Sequence, residues 1–156
     1  MSCVIEKAKV FFDNIIGEYI VGSTAYGMNI NTDNYVSDED IKAIAIMPIK
    51  EILTLHEPAD TLTLHPEDFN DELLSMANLQ EPTDFEVYTL KKFMKLAKDC
   101  NPTIIEMLFV EDKFIRKTSP YAEILRSNRH LFLSKKSIKT FGGYAMQQLV
   151  RIKHAL

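Results

Sequence analysis

The chain has 156 residues, 46% hydrophobic and 26% charged, with five glycines, six prolines and a net charge of −4. That length holds one domain with a sizeable core, or a small catalytic core with a helical appendage, and the composition excludes a long disordered tract. No eighteen apolar residues run together, and "MSCVIEKAKVFF" carries charges and no small-residue cleavage site, so a cytoplasmic protein with no membrane partner is expected. Cys3 and Cys100 lie far apart with no Cys or His at ligand spacing, which fits a reduced compartment and excludes a disulfide scaffold.

Val4, Ala8, Phe11 and Phe12 recur at helical spacing over residues 3–14, with Gly17 as the expected stop. "EYIVG", Glu18 to Gly22, reads as a short strand, after which Ser23 can cap a short helix through Ala25 and Tyr26. A polar loop leads to Ile41, Ala43, Ala45 and Met47, with Ile44 and Ile46 between them. This pattern predicts a strand buried on both faces and ended by Pro48. From Ile49 to Pro82 the pattern is weaker. Two "TLH" triplets place His56 and His65 at exposed loop or strand-end positions, and "PEDFNDELLSMA" suggests a helix over the sheet.

"TDFEVYTL", Thr83 to Leu90, predicts a strand; "LKKFMKLAK" then changes to helical period, with Leu90, Phe93, Met94 and Ala97 on one side and Lys91, Lys95 and Lys98 on another. Asn101 and Pro102 are N-cap and first residue of the next helix, and Ser119 and Pro120 repeat the signal. From Ser134 a final helix should turn Ile138, Phe141, Ala145, Leu149 and Ile152 inward, with close packing or a kink at Gly142 and Gly143.

In the stretch "GSTAYGMNINTDNYVSDED", the segment "DNYVSDED" lacks the central glycine and closing glutamate of a calcium loop, and the Gly-Lys-Ser/Thr ending of a Walker phosphate loop is missing. Its acids gain meaning from the strand that follows. Residues two apart on a strand share a face, so Asp38 and Asp40 can both reach one cation. Mg²⁺ prefers oxygen ligands and commonly completes its shell with substrate phosphates. Gly22 and Ser23, at a strand-to-helix junction, offer backbone N–H groups and a hydroxyl to those phosphates. Asp84 and Glu86 also alternate onto one face, and either could join the site.

Gly-Ser at a strand-helix junction, an Asp-x-Asp strand and a later acidic strand resemble the polymerase-beta-like nucleotidyltransferase superfamily. More narrowly, "GSTAYG…SDEDIKAI", "DFEVYTLKKFMKL", "NPTIIEMLF" and "FGGYAMQQL" look like successive blocks of the RNA-repair-associated nucleotidyltransferases of bacteria and phages, together spanning Gly22 to Leu149. The resemblance implies an α/β (α+β) fold. A nucleotidyltransferase core with a short mixed sheet flanked by helices would occupy residues 1–115, and a helical segment 116–156. It also implies Mg²⁺-dependent transfer of a nucleoside monophosphate from a triphosphate such as ATP to an acceptor hydroxyl on RNA or protein, releasing pyrophosphate. One or two metal ions would serve, and Mn²⁺ could substitute. Carried over by position, Gly22 and Ser23 hold the triphosphate, Asp38 and Asp40 bind metal, and Asp84 is the third carboxylate with Glu86 in reserve. Lys92, Asn101 and Glu106 match positions without an assigned role. The loop between Ser23 and Asp38 is longer than the usual pattern, and family members tend to continue beyond "RIKHAL", so a shortened or compact member is expected.

The charge is divided. Residues 1–87 hold 17 acids and 4 Lys or Arg, whereas residues 88–156 hold 5 acids and 14 Lys or Arg. Two halves that attract each other would explain this, as would a metal-binding half facing a half that handles phosphates. The rival to the enzyme is a non-catalytic module of the same fold that binds RNA or a protein partner.

Overall fold

The computed structural model describes residues 2–28, 39–53 and 59–155. Five strands form one mixed sheet in the order β3-β4-β2-β1-β5: β1 (Ile15–Val21), β2 (Asp40–Ala45), β3 (Thr61–Leu64), β4 (Asp84–Thr89) and β5 (Ile115–Lys117). Neighbours are antiparallel except the central pair β2 and β4, which run parallel. A parallel pair needs a crossover. Here it contains α3 (Ile49–Ile52), β3 and α4 (Asp71–Ala77).

Both faces of the sheet are covered, each by the alternate residues of the same strands. Ile41, Ala43, Ala45, Phe85 and Val87 face α1 (Ser2–Phe12) and α4, packing with Ala8, Phe11, Leu73 and Ala77. Ile44, Tyr88, Tyr19 and Val21 face the other way, toward α5 (Leu90–Lys98) and α6 (Pro102–Phe109), against Phe93, Ala97, Ile104, Met107 and Leu108. Caps set the starts of these helices. The Thr89 hydroxyl accepts from the Lys92 N–H, and Asn101 Oδ1 accepts from the Ile104 N–H with Pro102 at the first helical position. Ser119 caps α7 (Pro120–Ser127) in the same way, and α8 (Lys136–Ala155) follows.

Four local expectations are corrected. Gly17 does not stop α1; it lies within β1, where a side chain would collide with the Tyr19 hydroxyl 2.6 Å away. Ser23 does not cap α2 (Gly22–Ala25) but sits inside it, because the helix already begins at Gly22, whose N-cap Val21 has no side-chain oxygen to offer. β3 and β5 are strands that the sequence pattern does not predict. Finally, the apolar stripe of α8 is exposed, with Ile138 77% and Ile152 57% accessible, and nothing lies within 4 Å of the Cβ positions of Gly142 and Gly143.

Candidate active site

Along the α5/α6 face, β2 presents Asp40, Lys42 and Ile44 in turn, and β4 presents Asp84, Glu86 and Tyr88. The inner residues, Ile44 and Tyr88, lie in the core; the outer pairs are polar and only partly buried. The change from polar to apolar marks where helical cover ends. At that end of the sheet β2 and β4 begin, β1 finishes at Val21, and β3 finishes just before His65. Asp40, Lys42, Thr63, His65, Asp84 and Glu86 line a cleft of about 190 Å³ there.

The register places Asp40 directly opposite Asp84, and Lys42 opposite Glu86. The second pair is closed: Lys42 Nζ lies 2.6 Å from Glu86 Oε2, which also accepts from the Tyr88 hydroxyl at 2.5 Å. Burial, followed by that bond and the charge of Glu86, pushes the Tyr88 phenol up from its ordinary pKa. Asp84 is more open, with 47% of its side chain accessible, and its Oδ1 meets His65 Nδ1 at 2.8 Å. This bond raises the imidazole pKa, partly offset by desolvation. The main-chain N–H of His65 is held in turn by Asp68 Oδ2 at 2.9 Å, so the imidazole stands on a fixed turn. The Thr83 hydroxyl donates to the Glu39 carbonyl, tying the residues that immediately precede the two acidic strands.

Gly22, immediately after β1, approaches the Asp40 carboxylate. Its φ is +72°, a conformation that glycine adopts without steric cost, and a Cβ there would stand 2.4 Å from Asp40 Oδ2. Its N–H donates to Glu106 Oε1 at 3.0 Å. Ser23 is the next residue of α2 and is partly buried. Asp38 lies outside the described residues, as does His56. Among the described residues no three His, Cys, Asp or Glu form a group able to hold a metal ion. Asp40 and Asp84 face each other as register partners on the parallel pair.

The family model RlaP, an RNA repair pathway DNA polymerase beta family, matches residues 4–154. The chain belongs to this family. An uncharacterized 38.9 kDa protein in the nrdC-mobD intergenic region of Enterobacteria phage T4 is 30% identical over 129 residues, which cover 81% of this chain and 35% of that protein. The chain therefore spans about a third of the relative's length. No solved structure matches it. RlaP membership, with the mixed sheet and its flanking helices, bears out the nucleotidyltransferase-like α/β fold expected from the motifs. Among the described residues of this RlaP chain no helix is long and apolar enough to cross a membrane.

Gly22, just past the end of β1, lies against Asp40, and Asp40 is the register partner of Asp84; Ser23 follows Gly22. Glu86 lies one pleat deeper, in the Lys42 and Tyr88 network. Sequence reasoning missed His65 as a neighbour of Asp84, since the strand that delivers it has no clear pattern of its own. It matched Glu106 to a family block without finding its hydrogen bond to Gly22. Nothing in the local pattern around either residue signals a partner so distant in sequence.

Proposed function

We propose that the chain is a nucleotidyltransferase that moves a nucleoside monophosphate from a nucleoside triphosphate to an acceptor hydroxyl. The observation that carries this reading is the facing pair Asp40 and Asp84 beside the Gly22 turn, in a member of a polymerase-beta family. The acceptor oxygen forms a bond to the α-phosphorus, the bond from that phosphorus to the β-phosphate oxygen breaks, and pyrophosphate leaves. Asp84, with 47% of its side chain accessible, faces the acceptor hydroxyl and takes its proton as the general base. Ser23 holds the terminal phosphates, and Gly22, whose N–H donates to Glu106, shapes the turn that presents it. Glu86, already bound to Lys42 and Tyr88, is assigned to the scaffold.

The donor set at this cleft is oxygen from carboxylates, which suits Mg²⁺ and leaves positions for substrate phosphates. Asp40 and Asp84 would hold the ion, with Asp38 proposed from its spacing. When bound, Mg²⁺ supplies positive charge against the phosphate oxygens and can be replaced by Mn²⁺. The acceptor is proposed as an RNA end or a protein hydroxyl.

Incubation with each labelled triphosphate and Mg²⁺, with cellular RNA or protein as acceptor, tests the reading. Label should pass to one acceptor with pyrophosphate release, and chelation should stop it. Metal-dependent triphosphate binding without transfer to any acceptor would instead favour a binding module.

A further inference from the structure

Gly22 is gripped from two sides. On one side its α-carbon packs against the Asp40 carboxylate, closely enough to leave no room for a Cβ. On the other its N–H donates to Glu106, 84 positions later in the chain. The helix that Gly22 begins has only four residues and no side-chain cap at Val21, so it has little stability of its own. Glu106 also acts on Tyr26, the C-cap residue at the far end of α2. Partial burial, then the charge and hydrogen bond of Glu106, push that phenol up to about 12. One carboxylate thus spans α2 from its first N–H to its C-cap residue.

The base of this brace is rigid. Glu106 projects from α6, whose neighbours Ile104, Ile105, Met107 and Leu108 are buried and whose start is fixed by Asn101 and Pro102. The sheet core on which α6 packs also contains Val21, the residue just before Gly22.

We propose that Glu106 is a positioning residue for the triphosphate turn: it fixes Gly22 and Ser23 at the distance from Asp40 that nucleotide binding requires. This rests on the nucleotidyltransferase reading of the site. The role needs an acceptor oxygen rather than a negative charge, because the groups it holds are an N–H and an O–H. A carboxylate also adds repulsion toward a triphosphate. Glutamine should therefore serve in its place, and alanine should not.

The test is Mg²⁺-dependent triphosphate binding and steady-state transfer by the wild type, Glu106→Ala, Glu106→Gln and Tyr26→Phe. Glu106→Ala should weaken triphosphate binding about tenfold or more, the scale of a lost hydrogen bond to a charged group, with the loss chiefly in KM. Glu106→Gln should recover most of that binding. Tyr26→Phe, which keeps the Gly22 hydrogen bond, should lose less than Glu106→Ala. If Glu106→Ala does not fold, the ranking of Glu106→Gln and Tyr26→Phe against wild type, with the Gly22 amide resonance as a direct probe of its hydrogen bond, carries the test. Wild-type affinity in Glu106→Ala, or tighter binding, would overturn the role while leaving the site reading intact; the latter would mean that Glu106 competes with phosphate. A wild-type protein that binds no triphosphate would overturn the site reading itself, and the role of Glu106 with it.

Discussion

Asp40 and Asp84 are register partners on two parallel strands at the centre of the sheet. Like charges facing across strands destabilise a sheet unless something compensates. Their cost is offset when a cation lies between them. Asp40→Asn and Asp84→Asn should each lower transfer by about a hundredfold or more, in line with loss of transition-state electrostatic stabilisation. Asp84→Asn also loses its charged contact with His65, so the thermal midpoint measured without metal separates a folding effect from loss of chemistry. Normal turnover in both variants would remove the carboxylate pair from the chemistry.

Glu86 should behave in the opposite way. It lies one pleat inward, with Lys42 at 2.6 Å and the Tyr88 hydroxyl at 2.5 Å, and the Lys42 and Glu86 side chains are 19% and 26% accessible. Glu86→Gln keeps an acceptor for Tyr88 but leaves the Lys42 ammonium without its counter-charge. A loss of about 1–3 kcal/mol in urea unfolding is expected, with turnover changed only a few-fold. An inactive but fully stable Glu86→Gln would transfer the role of third carboxylate from Asp84 to Glu86.

The two acids of "TDFEV" share a face, so alternation alone cannot rank them. Strand pairing separates them, and pairing depends on the register of β2 against β4, across 44 residues of chain. The longer strands are legible because Ile41 to Met47 and Phe85 to Leu90 carry dense apolar patterns. β3 and β5 are not, and both are edge strands, of four and three residues. Their identity comes from a neighbour with which to pair, more than from their own composition. The stripe on α8 is amphipathic as its spacing predicts but does not face inward, since periodicity shows that a face is apolar and not what covers it.

Gly22 and Gly27 offer a controlled comparison, because both have positive φ, +72° and +64°, but only Gly22 has a neighbour where a Cβ would stand. Gly27→Ala should cost about 1 kcal/mol of backbone strain and spare transfer. Gly22→Ala adds a collision with Asp40 Oδ2. It should therefore abolish metal-dependent triphosphate binding, read by calorimetry, beyond any effect on stability. Equal losses in the two variants would mean that the approach of Gly22 to Asp40 has no functional weight.

Lys136 Nζ lies 2.5 Å from Asp99 Oδ1, joining the start of α8 to the C-cap of α5. The hydrogen bond and then the charge of Lys136 hold Asp99 below its ordinary pKa of 3.8. A depressed acid contributes stability above its unfolded pKa and loses it as pH falls through the folded value. Amide exchange in the first turn of α8 should therefore accelerate relative to the sheet as pH is lowered below about 3.8, after correction for intrinsic rates. Asp99→Asn should show the faster exchange already at neutral pH and lose the pH step.

The remaining lysines test whether the basic half meets nucleic acid. Lys91, Lys95 and Lys98 are exposed on α5, and Lys95 and Lys98 border an open groove of about 620 Å³ that also contains Met94, Leu131 and Phe132. Apolar surface between cations suits unstacked bases flanked by phosphates. Lys135 and Lys139 are exposed nearby at the start of α8, where positive charge opposes the helix dipole; Lys136 is occupied by Asp99. If RNA is the acceptor, its affinity should fall steeply with salt, because neutralised phosphates release counterions. Reversing Lys135 and Lys139 to Glu should weaken binding at low salt and flatten the logarithmic salt slope by about 0.7 for each single-strand phosphate that the protein no longer neutralises. Mg²⁺-dependent triphosphate binding should persist, since neither lysine lines the cleft of Asp40 and Asp84. A flat salt response in the unmodified protein would reject nucleic acid as the acceptor and leave a protein hydroxyl as the target to pursue.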